Sequence, residues 1–262
     1  KKSLGNEVNN GIAFPVGVSL NNIAAHWTPQ KNDTITLKEN DVLKVDFGTH
    51  IDGNIIDSAF TYAYDNKYDP LLEASKDAVY NVIKNIGVDS RISDLGQISS
   101  EIVNSYEIEL DNKLIPLKPI NNIYGHSIEQ WKIHGNKFIY PLKTNNTGII
   151  EENDILAIEI YVSTGCGTTI MDSNSNHFML KENYNSSNLK LKKSKEILKY
   201  IKNNFRTLAF TQRYFNDIKS VDIGLKELFN NQIINSYPPL IEPLDNSYIS
   251  QFEHTIYVSE KN

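Results

Sequence analysis

The chain is short of the residues that several protein classes depend on. It has one cysteine, Cys166, in 262 residues, which excludes an internal disulfide framework and suits a reducing compartment. No apolar run approaches the roughly 18 residues that a membrane-spanning helix needs. Lysine and arginine total 26 against 32 aspartates and glutamates, a net charge of −6 with no basic stripe. Nucleic acid and anionic membrane therefore gain no electrostatic support as partners. No short-period repeat is present, which removes solenoids and propellers. The chain opens on Lys1 rather than Met, so we expect the native N-terminus, with any targeting segment, to lie upstream.

What is there is ordinary globular material, 40% hydrophobic and 22% charged. At 262 residues the chain can bury a sizeable core in one large domain or two small ones. Up to about residue 63 the pattern is strand and turn: "GIAFPVGVSL", "DTITL", "DVLKVDFGTH", "NIIDSAFTYAY". "DPLLEASKDAVYNVIKNIG" then shows helical spacing closed by Gly87, and a second helix is expected from about Ser93 to Ser105. "DILAIEIYVSTG" reads as a buried strand, "KSKEILKYIKNNFRTLAF" and "SVDIGLKELFNN" as helices, and "SYISQFEHTIYVS" as a last strand. Strands and helices mix without strict βαβ alternation, which makes the fold class α+β.

The chemistry shows as acids where hydrophobes belong. "VDFGTHIDGNIIDSAFTY" is a hairpin of two apolar strands, each carrying one aspartate, Asp46 and Asp57. A four-residue loop, His50 to Gly53, sets the two directly opposite each other. A tighter turn on Asp52-Gly53 shifts the register by two residues and makes them diagonal neighbours. In either register the hairpin offers no nearby basic partner. Glu159 sits inside "AIEIYV" and Glu253 inside "QFEHTIYV", and an unpartnered buried carboxylate is costly. Any one of these acids alone reads as a turn or structural residue. Four in apolar strands do not, and proton sharing would need only two. Oxygen-rich ligation with an imidazole suits Mn, Fe, Co or Zn, and carboxylate-bridged metal pairs are a hydrolytic device. The histidine would be His126 in "YGHSIEQ" or His134 in "KIHGNK", with His26 in "NNIAAHWTP" a third candidate.

These blocks resemble the type 2 methionine aminopeptidases, metallopeptidases of family M24 with the pita-bread (creatinase/aminopeptidase) fold. "GIAFPVGVSLNNIAAHWTP", "KVDFGTHIDGNIIDSAFT", "KPINNIYGHSIEQWKIHG", "AIEIYVSTGCG", "TLAF", "YPPL" and "QFEHTI" follow the family's order over nearly the whole chain. The resemblance implies a single catalytic domain, 1–262. The long interval from Glu159 to Glu253 implies the helical subdomain inserted in type 2 enzymes, at 176–238. It implies removal of the N-terminal methionine from nascent proteins and peptides with a small second residue, by hydroxide activated at a dinuclear metal centre. Two divalent ions (Co, Mn, Fe or Zn) would be held by Asp46, Asp57, His126, Glu159 and Glu253, with Asp57 and Glu253 bridging. Glu159 would be the general base. His26 and His134 would orient the scissile carbonyl, His26 also being the residue alkylated by fumagillin-class inhibitors. Phe14, Ile133, His177 and Tyr237 would line the methionine pocket.

The same resemblance implies a cytoplasmic monomer acting on nascent polypeptide N-termini. A lysine-rich extension linked to ribosome association, frequent in the family, is not within these residues. Two positions depart from the family pattern: Tyr124 stands where a smaller polar residue is expected, and Cys166 where a basic one is. Two other readings are a proline-directed peptidase of the same fold and a non-catalytic binding relative. All five ligand positions and His26 carry competent residues, which argues against the second.

Overall fold

The computed structural model describes residues 9–215 and 218–260. The expected bounds 1–262 and 176–238 therefore include positions outside the described residues. Short strands open the chain: β1 (Asn10–Ile12), β2 (Gly17–Leu20) and β3 (Ile23–Ala25), then the long pair β4 (Val42–Ile51) and β5 (Asn54–Ala63). Helices α1 (Asp69–Lys84) and α2 (Ile92–Val103) follow. Next come β6 (Glu107–Leu110), β7 (Lys113–Pro116), β8 (Lys118–Pro119), β9 (Gly125–Ser127), β10 (Phe138–Ile139) and β11 (Ile155–Ser163). The remainder is β12 (Ile170–Met171), β13 (His177–Leu180), α3 (Lys192–Asn204), β14 (Phe210–Thr211), α4 (Val221–Asn230), β15 (Ile234–Tyr237), β16 (Leu240–Ile241) and β17 (Ile249–Tyr257).

One mixed-order sheet carries the architecture. Its path runs β1-β4-β5-β17-β11-β9-β10, with β2 added to β4 and β8 to β11. The apolar stripe of α1 (Leu71, Ala74, Ala78, Val79, Val82) is buried, and it packs with Leu156, Ile158 and Ile160 of β11 into the main core. Each buried Leu, Val or Ile side chain here contributes about 1.5–3 kcal/mol, and a charge at Ala78, in the middle of the stripe, would detach the helix. α1 begins with Pro70 in its first turn, where a missing N–H costs nothing. The opposite half of that sheet face, on β4 and β5, leaves Phe47, Phe60 and Tyr62 exposed.

A second apolar cluster forms among α3, α4 and β13 to β15, built on Leu180, Ile197, Ile201, Phe205, Phe210 and Leu228. α3 and α4 approach closely because Gly224 has no side chain; a Cβ there would lie 2.3 Å from Ile197 Cδ1. Two expectations change. "DTITL" forms no strand: Ile35 is exposed, and its N–H is taken by Asp33 Oδ1 in a local turn that competes with sheet pairing. The helix in "KSKEILKYIKNNFRTLAF" stops at Asn204, since Arg206 adopts a φ of 53° and Phe210 joins a strand. No helix among the described residues is long and apolar enough to cross a membrane.

Candidate metal centre

The hairpin turn decides the register. Asp52 and Gly53 have φ of 49° and 81°, the pair of positive values that a two-residue type I′ turn requires. Ile51 therefore pairs with Asn54, Asp46 with Ala59 and Gly48 with Asp57. The four-residue loop from His50 to Gly53 does not form, and Asp46 and Asp57 are diagonal on one face.

Neighbouring strands continue the same rows. Ala59 pairs with Glu253, and Glu253 with Glu159. Asp46, Glu253 and Glu159 thus share one row across four strands. The adjacent row carries Asp57, whose N–H donates to Thr255 Oγ1 at 2.7 Å; Thr255 pairs with Ala157, and Ala157 with His126. All five expected ligands project from the same face of the sheet. His126 Nε2 lies 3.9 Å from Asp57 Oδ2 and 3.9 Å from Glu159 Oε1. Donor atoms of Asp57, His126 and Glu253 lie within 4.8 Å of one another.

Small residues keep this face open. Gly48 sits beside Phe14, and a Cβ there would lie 2.3 Å from the Phe14 ring. The resulting cavity, about 380 Å³, is lined by all five of these residues together with Phe14, His26, Ile133, His134, His177 and Tyr237. His177 and Tyr237 meet because β13 and β15 pair them directly.

The electrostatics call for a cation. Asp46 Oδ1, Asp57 Oδ1 and Glu253 Oε1 are buried without a hydrogen-bond partner, which is expensive for carboxylates unless something positive completes them. Burial, reinforced at three of the four acids by neighbouring carboxylates, pushes Asp46 up to about 6 and Glu159 up to about 8, with Asp57 and Glu253 raised well above their usual range. Burial likewise lowers His126 to about 3, so its imidazole is neutral and ready to ligate. Anionic oxygens with one neutral imidazole form a donor set that divalent metals accept.

Lys44 qualifies the expectation that the hairpin offers no basic partner. It lies two residues before Asp46 and is fully buried, but its Nζ donates to Asn21 O at 2.7 Å and burial lowers its pKa well below normal. It does not pair with the acids.

Three histidines frame the cavity. His26 adopts a φ of 64°, a left-handed conformation that costs of order 1–3 kcal/mol outside glycine. Its Nδ1 is 3.3 Å from Pro238 O, and a carbonyl only accepts, so Nδ1 carries the proton and Nε2 keeps its lone pair. Burial lowers His26 to about 4. His177 Nε2 is 2.7 Å from Thr28 Oγ1, whose proton goes to Val16 O at 2.7 Å; Nε2–H of His177 is thus the donor. His134 stands edge-on to His126, 4.5 Å between centroids. It is exposed by surface area, yet the protein around it still desolvates it enough to lower its pKa.

Two groups escaped the sequence reading. Gln251 Nε2 lies 3.4 Å from both Asp46 Oδ2 and Glu253 Oε2. Tyr161 lines the cavity and hydrogen-bonds Glu159. Both stand two residues from a strand-borne glutamate on the same face, and that spacing was the available signal.

The fold and this buried donor cluster are of the kind that metallopeptidases use. Residues 2–260 match the sequence profile of Metallopeptidase family M24, and the chain belongs to that family. It is similar to methionine aminopeptidase 2-2 of Neosartorya fischeri, 45% identical over 249 residues, covering 94% of this chain and 54% of that protein. Methionine aminopeptidase 2A of Arabidopsis thaliana is also 45% identical, over 94% of this chain and 56% of its own length. The chain spans about half the length of the curated relatives it matches. Among solved structures, a thermophilic Arx1 superposes with a TM-score of 0.78 at 17% identity, over 96% of this chain and 74% of that one. Methionine aminopeptidase from Thermotoga maritima superposes with a TM-score of 0.60 at 19% identity, over 94% and 70%. The fold is the α+β pita-bread fold.

Proposed function

We propose that this chain is the catalytic part of a type 2 methionine aminopeptidase, cleaving the N-terminal methionine from nascent proteins and peptides with a small second residue. The observation that carries the reading is the placement of Asp46, Glu253 and Glu159 in one sheet row and Asp57 and His126 in the next, with orphaned carboxylate oxygens among them. Asp46, Asp57, His126, Glu159 and Glu253 would hold two divalent cations (Co, Mn, Fe or Zn). Bound there, such ions lower the pKa of a hydrolytic water towards neutrality.

The chain's own groups do the rest. Glu159, a carboxylate once cations occupy the site, would accept a proton from the attacking water and return it to the leaving amine. His26 and His134 direct their imidazoles at the scissile carbonyl and stabilise its oxyanion. Phe14, Ile133, His177 and Tyr237 give the apolar walls that take the methionine side chain. The bare Nε2 of His26 is the nucleophile that a fumagillin-class epoxide alkylates.

We assign 1–262 to one catalytic domain and 176–238 to the inserted helical subdomain, supported by the separate apolar cluster of α3 and α4. The enzyme is assigned as a cytoplasmic monomer whose partners are nascent N-termini, met at the ribosome. Assaying Met-Ala-Ser beside an Xaa-Pro peptide, with Mn²⁺ supplied, tests the activity. Release of methionine from the first and no cleavage of the second is expected; the converse assigns a proline-directed peptidase, and no hydrolysis of either, with metal bound, assigns a binding relative.

A further inference from the structure

We propose that Tyr124 and Phe138 form an aromatic shelf at the mouth of the cavity that binds the third residue of the substrate, favouring apolar and aromatic side chains there. This rests on the peptidase reading above. Tyr124 and Phe138 both line the cavity. Phe138 pairs with His126 across β9 and β10, so it lies on the same face as the metal-site residues and one strand outward. A strand's width is about 5 Å, and an extended peptide advances about 3.3 Å per residue. Phe138 on β10 stands two strand spacings, about 10 Å, from Glu159 on β11; the third residue's Cα lies about 5 Å beyond the first peptide bond, and a large side chain on it spans the rest.

The shelf is held in place. Tyr124 packs against Tyr140 at 4.8 Å and edge-on to Phe138 at 5.8 Å. β9 is pressed against β11, since a Cβ on Gly125 would lie 2.6 Å from Ala157 O; the segment carrying Tyr124 cannot retreat. The open end of the cavity is on this side: Asn122, His134 and Phe138 are its exposed lining residues, whereas Asp57, His126, His177 and Glu253 are buried. Phe138 is 37% exposed, leaving an aromatic surface that a bound side chain would cover. Position 124, where the family pattern leads one to expect a small polar residue, thereby gains a stacking partner for substrate.

The test compares kcat/KM of the Mn²⁺-loaded protein on Met-Ala-Phe and Met-Ala-Ser. The expected preference for the first is about 2- to 12-fold, the range of one aromatic pair. Phe138→Ala and Tyr124→Asn should each bring that ratio towards one, and Phe138→Leu should leave an intermediate ratio. Cleavage of both peptides at equal efficiency by the unaltered protein overturns the shelf while leaving the peptidase reading intact. A preference that persists unchanged in both truncations also overturns it. Failure to cleave either peptide removes both readings.

Discussion

Glu159 and Glu253 face each other directly on adjacent antiparallel strands, one residue deep in a row that also contains Asp46. Like charges in that position destabilise a sheet, and neither side chain has a lysine or arginine as a salt-bridge partner among the described residues. The arrangement is stable only when protons or cations are shared among the carboxylates, and this requirement has measurable consequences.

Replacing Glu253 by Gln or Asp57 by Asn removes one charge from the cluster without changing its shape. Both variants should lose turnover by at least about 100-fold, beyond the range typical of losing an outer hydrogen-bond partner, and should bind less metal by elemental analysis. The metal-free variants should melt no lower than the metal-free parent, because the amide spares the folded state the proton that the buried carboxyl must otherwise hold. Full peptidase activity in a metal-depleted variant would contradict the site.

The pH dependence has a defined sign. Asp46 and Glu159 are raised to about 6 and about 8, so in the metal-free protein the folded state keeps protons that the unfolded chain has released. Stability contributed by these acids therefore falls as pH rises through that window. His26 and His126, lowered to about 4 and about 3 from 6.5, act oppositely but only below about pH 6.5. Between pH 6.5 and 8 Lys44, whose pKa burial lowers well below normal, works against the acids, but the raised Asp57, Glu159 and Glu253 outnumber it, and metal-free stability should decline. Metal binding must displace the same protons, so the rise in Tm on adding Mn²⁺ should be larger at pH 8 than at pH 6.5. A rise independent of pH would mean that the cation binds elsewhere.

Gln251 offers a subtler probe. Its amide reaches both Asp46 and Glu253, and would orient two of the proposed ligands without being one. Gln251→Ala should weaken metal affinity by about 10- to 100-fold, and excess Mn²⁺ should restore activity. Loss of activity that excess metal does not restore would place Gln251 in the chemistry itself.

Much of this site was legible because sheet side chains alternate with period two. Asp46, Asp57, Glu159 and Glu253 stood out in the sequence as acids in apolar runs, and the Asp52-Gly53 pair specified the turn that sets their register. Strand order was not legible. Nothing local states that β17, the last strand, inserts between β5 and β11, yet that insertion brings Glu253 beside Asp57. The sequence offered no partner for the acids near the hairpin, and Lys44, though close by, is buried and donates its Nζ to Asn21 O, on a turn remote in sequence. "DTITL" misled because β-branched residues alternate there without a neighbouring strand to pair with.

Cys166 illustrates a partner that sequence could not supply. A basic residue was expected at this position, and the structure places Glu242, fully buried, against it. In the absence of a cation, Glu242 Oε1 accepts from Cys166 N at 2.6 Å and from its Sγ at 2.5 Å, while Oε2 accepts from Ser163 Oγ at 2.5 Å. The thiol is a weak and exposed donor, so Cys166→Ala should cost less than about 1 kcal/mol. Glu242→Ala strands the buried Ser163 hydroxyl and the Cys166 N–H and leaves a void, and should cost about 3 kcal/mol or more. Cys166→Lys introduces the missing cation, and its ammonium can reach the carboxylate while remaining hydrated; it should raise Tm. Thermal denaturation of the three variants checks the order. If Cys166→Lys melts below Cys166→Ala, the carboxylate is already satisfied by its hydrogen bonds, and the loop gains nothing from the added charge.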